Sequence, residues 1–152
     1  MQHGGVGKGS GTLDPLWSIR EMATAGLKTL QSVHGPEETM NRFEAAVRGK
    51  GLTVFAHIDH AAGAAAAGLG LRPTDLLIFG NARGGTPLMQ QDQAIGIDLP
   101  LKALVWQDAA GTTFLSYNDP AWLAQRHGLN HADAAVGALT AALEALAKAA
   151  TA

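Results

Sequence analysis

The run Asp75-Leu76-Leu77-Ile78-Phe79 constrains this chain most, because it sets four large apolar residues in a row between Pro73 and Gly80. So short a run, bounded by turn residues, reads as a strand. Alternation then puts Leu77 and Phe79 on one face and Leu76 and Ile78 on the other. Both faces call for cover, which places the strand inside a sheet rather than at its edge. Residues 52–60, LTVFAHIDH, read as a neighbouring strand, with Val54, Ala56 and Ile58 facing one way and Phe55 and His57 the other. Residues 101–107 and 112–117 read as two more strands joined by a turn at 108–111, an antiparallel hairpin. Leu27, Thr29, Gln31 and Val33 alternate with Lys28, Leu30 and Ser32 and supply a first strand.

Between these lie helical signals. Pro36 suits the first helical position, Glu37 and Glu38 complement the positive end of the helix dipole, and Met40, Phe43 and Val47 follow at helical spacing. The small-residue stretch after His60 reads as one or two helical turns. Thr86-Pro87 reads as a cap and first helical residue, so a glycine-rich loop feeds a short helix carrying Leu88 and Met89. Asp119-Pro120 repeats that device ahead of a helix ending at Gly128, and Val136, Leu139, Leu143 and Leu146 form one stripe on a long closing helix. Strand, helix, two strands, a short helical insert, a hairpin and then helices predict an α+β two-layer sandwich, mainly antiparallel, with helices on one face. One helical layer covers one face only, so the second face predicts an identical copy, a homodimer. Residues 1–21 read as a flexible tail or linker and 22–152 as a single domain.

Composition narrows the chemistry. With 47% hydrophobic and 16% charged residues and a net charge of −2, the chain has neither the cationic field that nucleic acid demands nor the polarity of disorder. Cysteine is absent, which closes disulfides, thiolate nucleophiles and sulfur-ligated metals. Glu144 and Lys148 interrupt the alanine-rich closing stretch, and no run reaches the roughly 18 to 20 apolar residues that span a bilayer. Residues 1–12 lack the apolar core of a secretory signal, so a cytoplasmic location without membrane or nucleic-acid partners is expected. That segment superficially suggests a phosphate loop, but Gly7-Lys8 is followed by Gly9, where Ser or Thr is needed.

The ordered blocks PEETMNRFEAAVRGKGLTVFAHIDHAAGA, LRPTDLLIFGNARGGTPLMQ, GIDLPLKALVWQD and SYNDPAWLAQRHGL resemble the domain of unknown function 302 family over residues 33–129. Phe79-Gly80-Asn81 with Gly85-Thr86-Pro87-Leu88-Met89 is the most specific piece. The resemblance implies a compact α+β fold of β-α-β-β-β-β-α-like order whose members tend to pair. One departure is Ala82, where the family often has proline. No activity comes with the resemblance.

Three groups of residues are candidates for chemistry. Asn81, Arg83, Gly84, Gly85 and Thr86 precede a helix, where glycines let backbone approach a ligand and N–H groups attract anions; equally, they form a turn that only caps the helix. His57, Asp59 and His60 suggest a metal or acid–base cluster, yet alternation separates His60 from the other two unless the strand ends or bulges at Asp59. Tyr117 is the one tyrosine, set before Asn118 and Asp119, with Asp119 capping the next helix. No metal site or cofactor is expected. A homodimeric module binding a small molecule, an anion among the candidates, at 81–86 is the first reading. The second is an enzyme with His60 as general base, oriented by Tyr117 and Asn81, and the third an assembly module without a ligand.

Overall fold

The computed structural model describes residues 24–131 and 133–152. The segment read as a tail or linker, with its Gly7-Lys8-Gly9 sequence, lies outside the described residues. The chain runs β1 (Leu27–Gln31), α1 (Pro36–Gly49), β2 (Thr53–Asp59), α2 (His60–Ala66) and β3 (Thr74–Gly80). It continues through α3 (Ala82–Gln91), a 3-10 helix (Gln93–Asp98), the β4 (Leu101–Gln107) and β5 (Thr113–Asn118) hairpin, α4 (Pro120–Arg126) and α5 (Ala134–Thr151). The strands form one five-stranded sheet in the order β1-β5-β4-β3-β2, antiparallel at every pairing.

Alternation along these strands builds a two-layer sandwich. Leu77, Phe79, Ala103, Val105 and Leu115 face α1 and α5, and the core closes on Met40, Phe43, Val47, Leu143 and Leu146. Phe43 meets Phe79 edge-on, with ring centroids 5.3 Å apart and planes at 76°. Burying each such side chain stabilises the fold by about 1.5 to 3 kcal/mol. The Pro36 start, the acidic first turn and the buried Met40, Phe43 and Val47 stand in α1 as the spacing predicts. The closing helix α5 has the length and composition of a membrane span, at 18 residues and a mean hydropathy of 1.3. A third of it is buried within the domain, including Leu143, Leu146, Ala147 and Ala150 in the sandwich core and Val136 in a second, smaller cluster.

Two local expectations are corrected. Strict alternation in β2 would put Val54, Ala56 and Ile58 on one face. Instead the register shifts between Val54 and Ala56, so that Val54 lies opposite Phe79 but Ala56 lies opposite Ile78. Val54 therefore packs against the core, Ala56 and Ile58 take the other face, and Phe55 is left as the extra residue of a β-bulge, 55% exposed. The second correction concerns α3, which begins at Ala82 rather than Pro87. Asn81, not Thr86, is the N-cap: its side chain accepts a hydrogen bond from the Gly84 N–H at 2.8 Å. Asparagine caps at least as well as threonine. Pro87 then sits inside the helix and withholds the N–H that would bond the Arg83 carbonyl. Tertiary contacts compensate, since Leu88 packs with Ile95, Ala124 and Val136 in a second small core.

The other sheet face carries Leu76, Ile78, Lys102, Leu104, Trp106, Phe114 and Ser116, by the strand registers. Leu76, Ile78, Leu104 and Trp106 are only partly buried and belong to neither core cluster. Trp106 stacks on Phe114 with centroids 4.8 Å apart. Its indole N–H donates to Ser116 Oγ at 2.9 Å, and Thr29 Oγ1 lies 2.8 Å from the same oxygen.

Candidate functional site

Where β3 ends and β4 begins, the helical layer leaves a gap. Gly80 and Leu101 line it from the sheet, Asn81, Ala82, Gly85, Thr86 and Met89 from α3 and its cap, Gly96 from the 3-10 helix, and Leu139, Ala142 and Leu146 from α5. The result is a cavity of about 300 Å³, at the lower end of the range for small-molecule sites. Asn81, Gly85 and Thr86 line it, whereas Arg83 and Gly84, read from the sequence as part of the same site, do not. Gly84 is instead turned inward, where an added Cβ would come within 3.2 Å of both Asn81 Oδ1 and Leu139 Cδ2. At Gly85 an added Cβ would sit 3.4 Å from Leu99 Cδ1 and 3.8 Å from Met89 Cε. The absence of a side chain there therefore helps keep the space open.

Several lining residues were not legible beforehand. Phe55 reaches the cavity through the bulge, Met89 from α3, Leu99 from the segment between the 3-10 helix and β4, and Ala142 from α5. The Thr86-Pro87 signal puts Met89 on a short helix, but nothing in the sequence assigns it to a cavity.

The acid–base trio does not come together. His60 follows the last residue of β2, which pairs with Asp75 near the start of β3, while Asn81 follows Gly80, which pairs with Thr53. A strand of that length separates the two ends by about 20 Å. Tyr117 pairs with Ala103 in β4 and Lys28 in β1; three inter-strand steps, about 14 Å, lie between β5 and β2. Its ring is part of the core, and burial, followed by the charges of Glu144 and Asp119, raises its hydroxyl pKa.

His57, Asp59 and His60 do gather loosely around Asp75, because β2 ends at Asp59 and α2 starts at His60. His57 Nε2 stands 3.8 Å from Asp75 Oδ1, and Asp59 caps α2 by accepting from the Ala62 N–H at 2.8 Å. The Asp75 carboxyl is raised above its usual range, first by burial and then by repulsion from Asp59, against the opposing pull of His57 and His60. Among the described residues, no group of three His, Cys, Asp or Glu side chains is placed to hold a metal ion.

A five-stranded antiparallel sheet, helices on one face and an apolar cavity at the sheet's end define an α+β sandwich with room for a small ligand. The chain belongs to the family described as Domain of unknown function DUF302, whose sequence profile matches residues 28–146. It is similar, at 22% identity and a TM-score of 0.67, to an uncharacterized conserved DUF302 protein from Bacillus stearothermophilus, covering 84% of this chain and 97% of that one. Among curated relatives it is 51% identical over 116 residues, 76% of this chain, to a protein named fluoride-specific ion channel FluC 1 of Brucella suis biovar 1. The same identity and length hold for fluoride-specific ion channel FluC 2 of Brucella melitensis biotype 1. The match spans 46% of the former relative and 43% of the latter, less than half of each.

Proposed function

We propose that this chain is a non-enzymatic, homodimeric module that binds a small molecule in the cavity beside Asn81, Gly85 and Thr86. The observation that carries the reading is the cavity itself: about 300 Å³, walled by three separate elements and bordered by the most specific block of the sequence. The separation of His60, Tyr117 and Asn81 weighs against the enzyme reading, which requires them within hydrogen-bond reach of one another. The partly buried Leu76, Ile78, Leu104 and Trp106 support self-association through the open sheet face. In the relatives named as fluoride channels the matching stretch is under half of the chain, which supports a module carried beside another activity.

A thermal-shift screen against nucleotides, phosphorylated metabolites, organic anions, neutral apolar compounds and divalent metals tests this reading. A ligand at 100 times its dissociation constant stabilises the fold by about 2.7 kcal/mol, a rise of roughly 5 to 10 °C for a domain of this size. The shift is expected to vanish in Gly85→Val and to persist in His60→Ala. If no compound shifts the transition, the assembly-module reading takes its place.

A further inference from the structure

We infer that the cavity takes an uncharged, largely apolar small molecule bearing one hydrogen-bond acceptor, and that Phe55 closes over it; this rests on the binding-module reading above. None of the fifteen residues lining the cavity is charged, and the only side chains there that form conventional hydrogen bonds are those of Asn81 and Thr86. A charged ligand would lose its water without gaining a partner of opposite sign, a cost that hydrogen bonds at one end do not offset. The apolar body is matched instead by Leu101, Leu139 and Leu146, together with Met89, whose flexible thioether adapts to irregular shapes. An apolar cavity of about 150 Å³ admits benzene, so this one, at about 300 Å³, suits a molecule on the scale of two fused rings.

The polar end follows from the helix cap. Asn81 Oδ1 is occupied by the Gly84 N–H, which leaves the Nδ2 amide as its donor, and Thr86 adds a hydroxyl to the same lining. The same cap uses the Gly84 N–H that an anion at the helix start would seek, and Arg83, the one cation of the segment, stands outside the lining. Phe55 supplies the cover. As the extra residue of the bulge it is aimed away from the regular pleat, and it lines the cavity while remaining 55% exposed. A ligand gives that ring an apolar surface to rest on.

Two probes with one ring system separate the neutral from the anionic class: 2-naphthol and naphthalene-2-sulfonate, each titrated into the full chain and followed through the backbone amide resonances of Gly85 and Gly96. The expected result is that 2-naphthol moves both resonances and binds at least about tenfold tighter than the sulfonate. Phe55→Ala, an exposed change that leaves the core intact, is expected to weaken 2-naphthol several-fold, and Gly85→Val to abolish its effect on the Gly96 amide. Equal or tighter binding of the sulfonate at the same amides overturns the uncharged class while leaving a binding module in place. If neither probe moves those amides, the inference is overturned, and the binding-module reading is then decided by the wider screen. Unchanged 2-naphthol affinity in Phe55→Ala removes the covering role.

Discussion

Asp75 has surroundings that its sequence position does not suggest. It opens the apolar run that defines β3, yet it faces Asp59, His57 and His60 at the sheet's end. Burial and Asp59 raise its carboxyl pKa, so the folded chain holds that proton more tightly than the unfolded chain does. Between the two values the folded state binds more protons, and stability falls as pH rises through that window. Asp75→Asn, which stays neutral, is expected to lose this slope, so that its advantage over the natural chain grows as pH rises from about 4, the ordinary carboxylate value. Urea unfolding of both proteins at a series of pH values reads the difference directly. Parallel stability curves would show that Asp75 ionisation does not couple to folding.

Among the elements, α3 is where local signals competed. Thr86-Pro87 and Asn81 are both acceptable starts, and propensity alone does not choose between them. The choice is made by packing: a helix from Ala82 carries Leu88 and Met89 against Ile95, Leu99 and Leu139. Asn81→Ala is therefore expected to cost about 1 kcal/mol, the usual loss of an N-cap, and Thr86→Ala only a few tenths. Chemical denaturation of the two variants should rank them in that order; the reverse ranking would restore the later start. The bulge in β2 is a similar case, because an extra residue is defined only relative to the partner strand. In LTVFAHIDH nothing marks Phe55 as the residue without an opposite number. By contrast α1, its proline start and its Met40, Phe43, Val47 face were legible because helical spacing is a local property, satisfied whichever sheet it packs against.

For the whole molecule the consequence of a single helical layer is that, among the described residues, no second layer covers the other sheet face. Leu104 and Trp106 stand on it with Leu76 and Ile78, beside Lys102 and Ser116. At micromolar concentration the chain is expected to run at twice its monomer mass in light scattering, and Leu104→Lys, which sets a charge in the middle of that face, to run as a monomer with unchanged helix and strand content. A monomeric natural chain at those concentrations would remove the dimer from the proposal.

The sequence by itself determined the α+β class, the five strands, the helices that start at Pro36 and Pro120 and the apolar residues that fill the core. These follow from periods of two and 3.6 and from turn residues, each read within a few positions of the chain. It also singled out the segment around Asn81, Gly85 and Thr86. Only the tertiary structure decided that this segment is the first turn of a helix, that Arg83 lies outside the cavity, and that His60 and Asn81 stand at opposite ends of a strand. The cavity was beyond local reading for a plain physical reason. It is the space left where Phe55, Leu99 and Leu139, far apart in the chain, fail to meet, and no periodicity encodes the distance between elements that have yet to pack.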